Sequence, residues 1–123
     1  MVIRKIQGND MYFYKDNDLI LTVEEPTIDG KEYMILKGEL VNETVSHIQD
    51  ELDAFSSAHI PITVDFKGVT YCSSIFIDAL VNSQAFIDSI RCGELTLKNI
   101  PKDVYDLMDL HNVTDIFYIE DEN

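Results

Sequence analysis

The sequence predicts an α/β fold, in which a single domain has a mixed β-sheet covered by about three to four helices, in the order β-β-α-β-α-β-α-β. Three observations predict it. The hydrophobic spacing changes repeatedly between strand-like and helix-like patterns, 123 residues suit one domain, and no internal repeat or Pro/Gly-rich linker divides the chain. We expect a core at 18–119, with an N-terminal extension at 1–17 and an acidic tail at 120–123.

Two β-rich segments come before the first predicted helix. Asp18–Glu24 is apolar and β-branched, and the turn residues Asp29 and Gly30 follow it. Lys31–Leu40 carries four consecutive, mostly apolar side chains at 33–36, which is typical of a strand covered on both faces. The N-terminal region of about 30 residues is predicted to be hairpin-like.

The first helix is predicted over 42–57. Its apolar residues recur at helical spacing, as Val45, Ile48, Leu52 and Phe55. Asn42 is the predicted N-cap, and Glu43 in the first turn complements the positive end of the helix dipole.

Strands and helices alternate in the rest of the chain. The predicted elements are a strand from 62 to 71, a helix over 75–90, a strand over 94–100, a helix from 101 to about 112 and a last strand over 114–119. Gly93 is the stop signal of the long helix, and Pro101 suits the first turn of the short one. Parallel strands joined by crossover helices are expected.

Composition narrows the class of partner. The chain has 23 acidic and 9 basic residues, a net charge of −14 that repels nucleic-acid phosphates and anionic lipid headgroups. Between Gly38 and Ile90 the only basic residue is Lys67, among eight acidic ones. We therefore expect a basic or polar partner, and neither nucleic acid nor membrane.

The sequence also predicts a cytosolic protein with neither metal nor cofactor. No apolar run has the length of a membrane-spanning helix or a secretory signal. The two cysteines, Cys72 and Cys92, are predicted to be free thiols, and the three scattered histidines show no zinc-ligand spacing.

No catalytic motif is present, and a non-enzymatic protein is predicted. No Gly-x-Ser-x-Gly elbow surrounds a serine, and no histidine lies near Ser73 or Ser74 in the sequence. The isolated glycines exclude a phosphate-binding loop of the Walker type. Cys72 lacks nearby cations and is interpreted as a small buried apolar residue.

Three stretches, at 36–40, 62–74 and 110–117, carry a resemblance to a known family. They read Leu-Lys-Gly-Glu-Leu, Ile-Thr-Val-Asp-Phe-Lys-Gly-Val-Thr-Tyr-Cys-Ser-Ser and Leu-His-Asn-Val-Thr-Asp-Ile-Phe. In this order they resemble the STAS domain of bacterial anti-sigma factor antagonists, over roughly 20–119. The resemblance implies a single STAS-like domain that exchanges between protein partners, one of which is an anti-sigma factor and serine kinase.

In that family a loop of the form Asp-Ser-Ser/Thr-Gly carries the phosphorylated serine. Over this sequence, Ser73 takes the Asp position, Ser74 the acceptor position, Ile75 the second hydroxyl position and Phe76 the glycine position. The resemblance makes Ser74 the candidate phospho-acceptor and Ser73 the second choice. The alternative is that either serine is only an N-cap, which stabilises a helix by ~1 kcal/mol.

The loop and its neighbours form the predicted partner-binding surface. Its residues are Glu39, Asn42, Glu43, Tyr71, Cys72, Ser73, Phe76 and Ile77. A helix start favours a phosphate through its free N–H groups and its dipole, whereas Asp78, about one turn further on, opposes it. Phe76 is expected either to be buried beneath the helix or to be presented to the partner.

The function predicted is partner switching controlled by phosphorylation at Ser74. Two alternatives stay open: a STAS scaffold or decoy that binds regardless of phosphorylation, and a STAS domain that senses a small ligand or nucleotide. The sequence leaves open the oligomeric state and whether Tyr12, Phe13 and Tyr14 pack on the sheet or form an interface.

Overall fold

The computed structural model describes residues 1–90 and 95–120, and it contains eight strands and three α-helices in that part of the chain. The strands are β1 (Val2–Gln7), β2 (Asp10–Lys15), β3 (Asp18–Glu24), β4 (Thr27–Ile28), β5 (Lys31–Leu40), β6 (Ile62–Cys72), β7 (Thr96–Lys98) and β8 (Tyr118–Glu120). The helices are α1 (Asn42–Ser57), α2 (Ser74–Ile90) and α3 (Lys102–Leu110), and a short 3₁₀ helix covers Thr114–Ile116.

The strands form one mixed sheet in the order β1-β2-β3-β5-β6-β7-β8, and β4 pairs with the start of β5. Neighbours from β1 to β5 are antiparallel, and neighbours from β5 to β8 are parallel. The predicted α/β class and its order of strands and helices from β3 onward are confirmed.

One face of the sheet packs against the helices and the other stays partly open. In β5, Met34 and Leu36 are fully buried, whereas Tyr33 and Ile35, which alternate with them, are only half-buried. The expectation that this strand is covered on both faces is therefore wrong. Since β5 to β8 follow one another across the sheet in a single direction, right-handed crossovers place their helices on the same face.

The N-terminal extension is part of the sheet. β1 and β2 form a hairpin, and β2 pairs with β3. Met11 and Phe13 of β2 are buried in the hydrophobic core, and the Phe13 ring lies 5.5 Å from the His47 ring of α1. Tyr12 and Tyr14 are half-buried, because their side chains alternate with the core residues and lie on the open face.

Glycine is required where β5 lies close to β3. Gly38 has a φ of +118°, and a Cβ atom there would overlap the carbonyl oxygen of Ile20. The register of β5 against β6 shifts between Gly38 and Glu39. This irregularity comes just before the strand reaches the loop that leads into α1.

Several element boundaries differ from the prediction; β7 ends at Lys98 and not at residue 100, and α3 covers Lys102–Leu110 and not 101 to about 112. Val41, not Asn42, is the N-cap of α1, and the main chain and hydroxyl of Thr44 both donate to the Val41 carbonyl at 3.0 and 2.9 Å. Residues 114–116 form the 3₁₀ helix, so the last strand is only Tyr118–Glu120. The predictions for Cys92, Gly93, the strand start at Glu94 and the tail at 121–123 lie outside the described residues.

Candidate partner-binding surface at the strand ends

The carboxyl ends of β5 and β6 bring the predicted site residues together. In the parallel pairing, Glu39 is opposite Tyr71 and Leu40 is opposite Cys72. The main-chain N–H of Ser73 then donates to the Leu40 carbonyl at 3.0 Å, which ties the two strand-to-helix loops to each other. As a result, the first turns of α1 and α2 lie side by side at one end of the sheet.

The two adjacent serines have different environments. Ser74, the first residue of α2, is exposed. Ser73 is only 8% exposed, and its Oγ is buried with no hydrogen-bond partner among the described residues. Because that hydroxyl makes no bond to the helix N-terminus, Ser73 does not cap α2 through its side chain. Of the two candidates, only Ser74 is accessible to a modifying enzyme.

Phe76 and Ile77 do not belong to the surface. Both are fully buried, and the Phe76 ring packs edge to face on Phe66 of β6, with the ring centroids 5.9 Å apart. The prediction that these two side chains contact a partner disagrees with this placement. Their apolar area anchors the first turn of α2 on the sheet instead.

Two large apolar side chains remain exposed beside Ser74. Tyr71, at the end of β6, is 53% exposed, and Ile75, the second residue of α2, is 46% exposed. The sequence analysis did not place Ile75 on the surface. Its helical spacing could have done so, because Ile75 shares a face with the exposed Asp78 and Asn82.

Polar groups from α1 and the N-terminal hairpin complete this surface. Glu39, Asn42 and Glu43 are exposed, and Lys15 of β2 lies with its Nζ 3.6 Å from Glu43 Oε2. Both partners of this ion pair are about half exposed, so it stabilises the protein only weakly. We call the exposed residues at this end the strand-end surface; they are Glu39, Asn42, Glu43, Tyr71, Ser74 and Ile75.

A groove adjoins the strand-end surface on the side of α3. It has a volume of about 330 Å³, and Val69, Tyr71 and Val104 are among the residues that line it. It exists because β7 pairs only with residues 63–65 of β6. Beyond that point, no strand in the described part of the chain covers this edge of β6. The groove can accept an apolar side chain next to Tyr71.

The Cys72 thiol lies between the surface and the core. It is half-buried, and its Sγ donates to the Ser73 carbonyl at 3.5 Å. Burial raises the pKa of this thiol to about 12, so it is protonated at neutral pH and is a poor nucleophile. No group of His, Cys, Asp and Glu side chains suited to a metal ion occurs within 1–90 and 95–120.

Comparison with known proteins identifies the family. The family model described as "Mlab, STAS domain" matches residues 27–119. The chain belongs to the STAS family. The match begins at β4, so the hairpin and β3 precede the matched STAS region. A comparison with curated proteins gave no significant match. No helix within the described residues is long and apolar enough to cross a membrane.

Solved structures share the fold at low sequence identity. The anti-sigma factor antagonist SpoIIAA in its unphosphorylated form has a TM-score of 0.68 and 15% identity, over 82% of this chain and 88% of that one. The phosphorylated form of SpoIIAA from Bacillus has a TM-score of 0.66 and 13% sequence identity, over 84% of this chain and 91% of that one. A putative anti-sigma factor antagonist from Thermotoga maritima has a TM-score of 0.67 and 21% sequence identity, over 82% of this chain and 86% of that one.

Proposed function

We propose that this chain is a non-enzymatic regulatory module that binds a protein partner through the strand-end surface. The partner is an anti-sigma factor or a related serine-kinase regulator, and the module acts in the cytoplasm by partner switching. In this proposal the unmodified module captures its partner, and phosphorylation of Ser74 releases it. Membership of the STAS family and the likeness to anti-sigma factor antagonists support a regulatory role.

The observation that carries the proposal is the position of Ser74. It is an exposed residue at the start of α2, followed directly by the exposed Ile75 and preceded three residues earlier by the exposed Tyr71. A phosphoryl group there lies against the free N–H groups and the positive dipole end of the helix, so the modification leaves the fold intact. In a bound complex, however, the same dianion occupies the middle of the interface, where desolvation is costly unless the partner supplies a cation.

The flanking residues fit a partner interface. Tyr71 and Ile75 offer apolar contact, and the groove beside Tyr71 offers a place for an apolar side chain of the partner. Glu39 contributes an exposed negative charge, whereas Glu43 is paired with Lys15, so a partner with a basic group facing Glu39 is favoured. SpoIIAA has been solved in phosphorylated and unphosphorylated forms. We propose that this chain also exists in a phosphorylated and an unphosphorylated form.

A capture experiment tests the switch. Tagged wild-type protein and Ser74→Asp are used to capture partners from the lysate of the source cell, with Asn82→Asp as the matched control, because Asn82 is exposed on the same helix about two turns away. We expect wild type and Asn82→Asp to recover a kinase-like regulator and Ser74→Asp to recover about ten-fold less or lower still. Equal recovery by all three proteins would contradict control by charge at Ser74.

A second candidate function is a STAS scaffold whose binding is independent of phosphorylation. It is favoured by the loop itself, since Ser73 is buried where the related loop carries Asp, and Phe76 is buried where it carries glycine. Incubation of the captured complex with a serine kinase and ATP separates the two functions. Both predict that Tyr71→Ala weakens capture, but only the switch predicts that incubation with a serine kinase and ATP releases wild-type protein while Ser74→Ala stays bound.

A further inference from the structure

A second cavity lies at the opposite end of the sheet from Ser74. It has a volume of about 230 Å³, is partly open to solvent, and is lined by the β1–β2 hairpin, the start of β5 and the second half of α1. Glu32 marks the cavity end of β5 and Leu40 its other end, and a strand of this length spans roughly 25 Å. The cavity is therefore separate from the strand-end surface, and a ligand site there does not rest on the proposed function.

Three glutamates from three separate segments of the chain line this cavity. They are Glu25 after β3, Glu32 in β5 and Glu51 in α1. Glu25 is 4% exposed and Glu32 is 2% exposed. Fully buried carboxylates are rare unless they are paired, so this arrangement calls for a physical explanation.

Both buried carboxyl groups keep an oxygen without a donor. Glu32 Oε2 accepts a hydrogen bond from the Thr27 hydroxyl at 2.6 Å, but Glu32 Oε1 is buried and accepts none from the described residues. Glu25 Oε2 is likewise buried and accepts none from that part of the chain. Both residues line the cavity, and the unpartnered oxygens lie just beneath its wall. A ligand with N–H donors satisfies them when the two side chains turn toward it.

Among the described residues, no cation lies beside these carboxylates. No lysine or arginine lines the cavity, and no salt bridge within 1–90 and 95–120 includes Glu25, Glu32 or Glu51. The last turn of α1, which contributes Phe55 to the cavity wall, contains no basic residue. The carboxyl end of the α1 dipole adds a partial negative charge here, and no basic side chain in the last turn offsets it.

In the free protein, protons reduce the negative charge. Burial, followed by the charge of Glu51 and a hydrogen bond with its side chain, raises the pKa of Glu25 to about 8. Burial also raises the pKa of Glu32, while its hydrogen bond with Thr27 acts in the opposite direction. The carboxyl group of Glu25 is thus mainly protonated at neutral pH, and a bound cation would replace that proton.

We propose that this acidic cavity, lined by Glu25, Glu32 and Glu51, binds an organic cation of the alkylguanidinium class. A guanidinium group supplies several N–H donors in one plane, enough to reach carboxyl oxygens on different elements at once. The apolar walls from Ile6, Met11 and Phe55 suit the alkyl part of such a ligand. The group is supplied by a small free molecule or by an arginine side chain of another protein.

A metal ion is a poorer fit. Ca²⁺ needs six to eight oxygen ligands at about 2.3–2.6 Å. In the described part of the chain, no three metal-ligating side chains converge on one point. The cavity is also far larger than one ion, and apolar side chains form part of its wall. Its size suits a ligand of a few heavy atoms that carries both charge and hydrocarbon.

Titration of the full ¹⁵N-labelled chain with two matched probes tests this proposal. Butylguanidinium carries the charge, and butylurea has the same shape without it. At 150 mM salt we expect butylguanidinium to shift amide signals of 6–9, 25–32 and 51–55, and butylurea to leave them in place. Equal shifts by the two probes, or shifts only elsewhere, would overturn the proposal, as would displacement of butylguanidinium by equimolar CaCl₂.

Variants then assign the binding to the buried carboxylates. Glu25→Gln is expected to raise the dissociation constant about ten-fold or more, and Glu32→Gln serves in the same way if Glu25→Gln does not fold. Asp50→Asn is the matched control, because Asp50 is exposed on α1 next to Glu51, and it should change the constant by less than about two-fold. Equal losses in Asp50→Asn and Glu25→Gln would mean that only the overall charge matters, which would sink the proposal.

One further ligand distinguishes the two sources of the cation. N-acetyl-arginine methylamide presents the guanidinium on a peptide backbone, as a protein partner would. Binding as tight as that of butylguanidinium would support an arginine side chain as the natural ligand. Binding of butylguanidinium alone would support a small free molecule, because the peptide groups would then obstruct entry.

Discussion

The two ends of the sheet handle polar groups in opposite ways. At the strand-end surface, Ser74 and Glu43 are exposed to water at the starts of two helices. At the acidic cavity, Glu25 and Glu32 are almost completely buried, and each has one oxygen without a donor among the described residues. A negative charge added at the first end is stabilised by helix N-termini, whereas the charge at the second is opposed by burial and by other carboxylates.

This difference concerns function as well as stability. The strand-end surface can gain or lose a phosphoryl group without changing the core, which is useful for a switch at an interface. The acidic cavity costs stability when it is empty and charged, and such a cost persists most readily where a ligand relieves it. Each end can be tested separately with its own variants.

The first prediction concerns the anchor beneath the strand-end surface. Phe76→Ala removes a fully buried ring that packs on Phe66, so we expect the free energy of unfolding to fall by about 3–5 kcal/mol. Ile75→Ala is the neighbouring control, since Ile75 is 46% exposed, and it should cost less than about 1 kcal/mol. Urea denaturation measures both. Similar losses for the two variants would show that Phe76 is not a core residue.

The second prediction concerns the pH dependence created by the acidic cavity. The pKa of Glu25 is raised from 4.5 to about 8 in the folded protein, first by burial and then by Glu51, Glu32 and Asp10. The folded state therefore binds the proton more tightly than the unfolded state. The stability due to this proton is fully present below pH 4.5 and is lost as the pH rises through about 8.

Glu25→Gln should accordingly make the protein more stable at pH 9, by about 1–3 kcal/mol relative to wild type, and should have a smaller effect at pH 5. Thermal and urea unfolding at the two pH values measure the difference. Asp50→Asn, the exposed control, should show no comparable change between them. A wild-type protein that is more stable than Glu25→Gln at pH 9 would contradict the expected sign.

The third and smallest prediction concerns the ion pair that joins the hairpin to α1. A double-mutant cycle with Lys15→Ala and Glu43→Ala should give a coupling energy of about 0.2–1 kcal/mol, because both groups are about half exposed. The coupling should weaken further in 0.5 M NaCl through screening. A coupling well above this range would show that the pair is held more rigidly than its exposure indicates.

Much of the fold could be predicted from hydrophobic spacing alone. Apolar residues at helical spacing, such as Val45, Ile48 and Leu52, predicted the positions of all three helices. The parallel strands lie between these helices in the sequence. The hairpin at β1 and β2 was not predicted as two strands. β1 is an edge strand that is exposed on both faces, so its sequence lacks the alternation that marks a half-buried strand.

The candidate site was predicted less completely. The residues of the two loops were identified correctly as neighbours, since parallel strands end at the same edge of a sheet. The placement of Phe76 was left open by the sequence, because a large apolar side chain at a helix start can either pack on the sheet or contact a partner. The acidic cavity had no local signal, because Glu25, Glu32 and Glu51 are ordinary polar residues in their own segments.

The class of fold, the family resemblance and the acidic character of the protein could all be recognised in the amino-acid sequence. These properties follow from composition, from spacing within one element and from short motifs, all of which are local along the chain. Only the tertiary structure decided that Ser74 is exposed while Ser73 is buried, and that glutamates from three separate segments meet in one cavity. Burial and electrostatic coupling depend on distances between segments far apart in sequence, and the packing of the sheet and helices sets those distances.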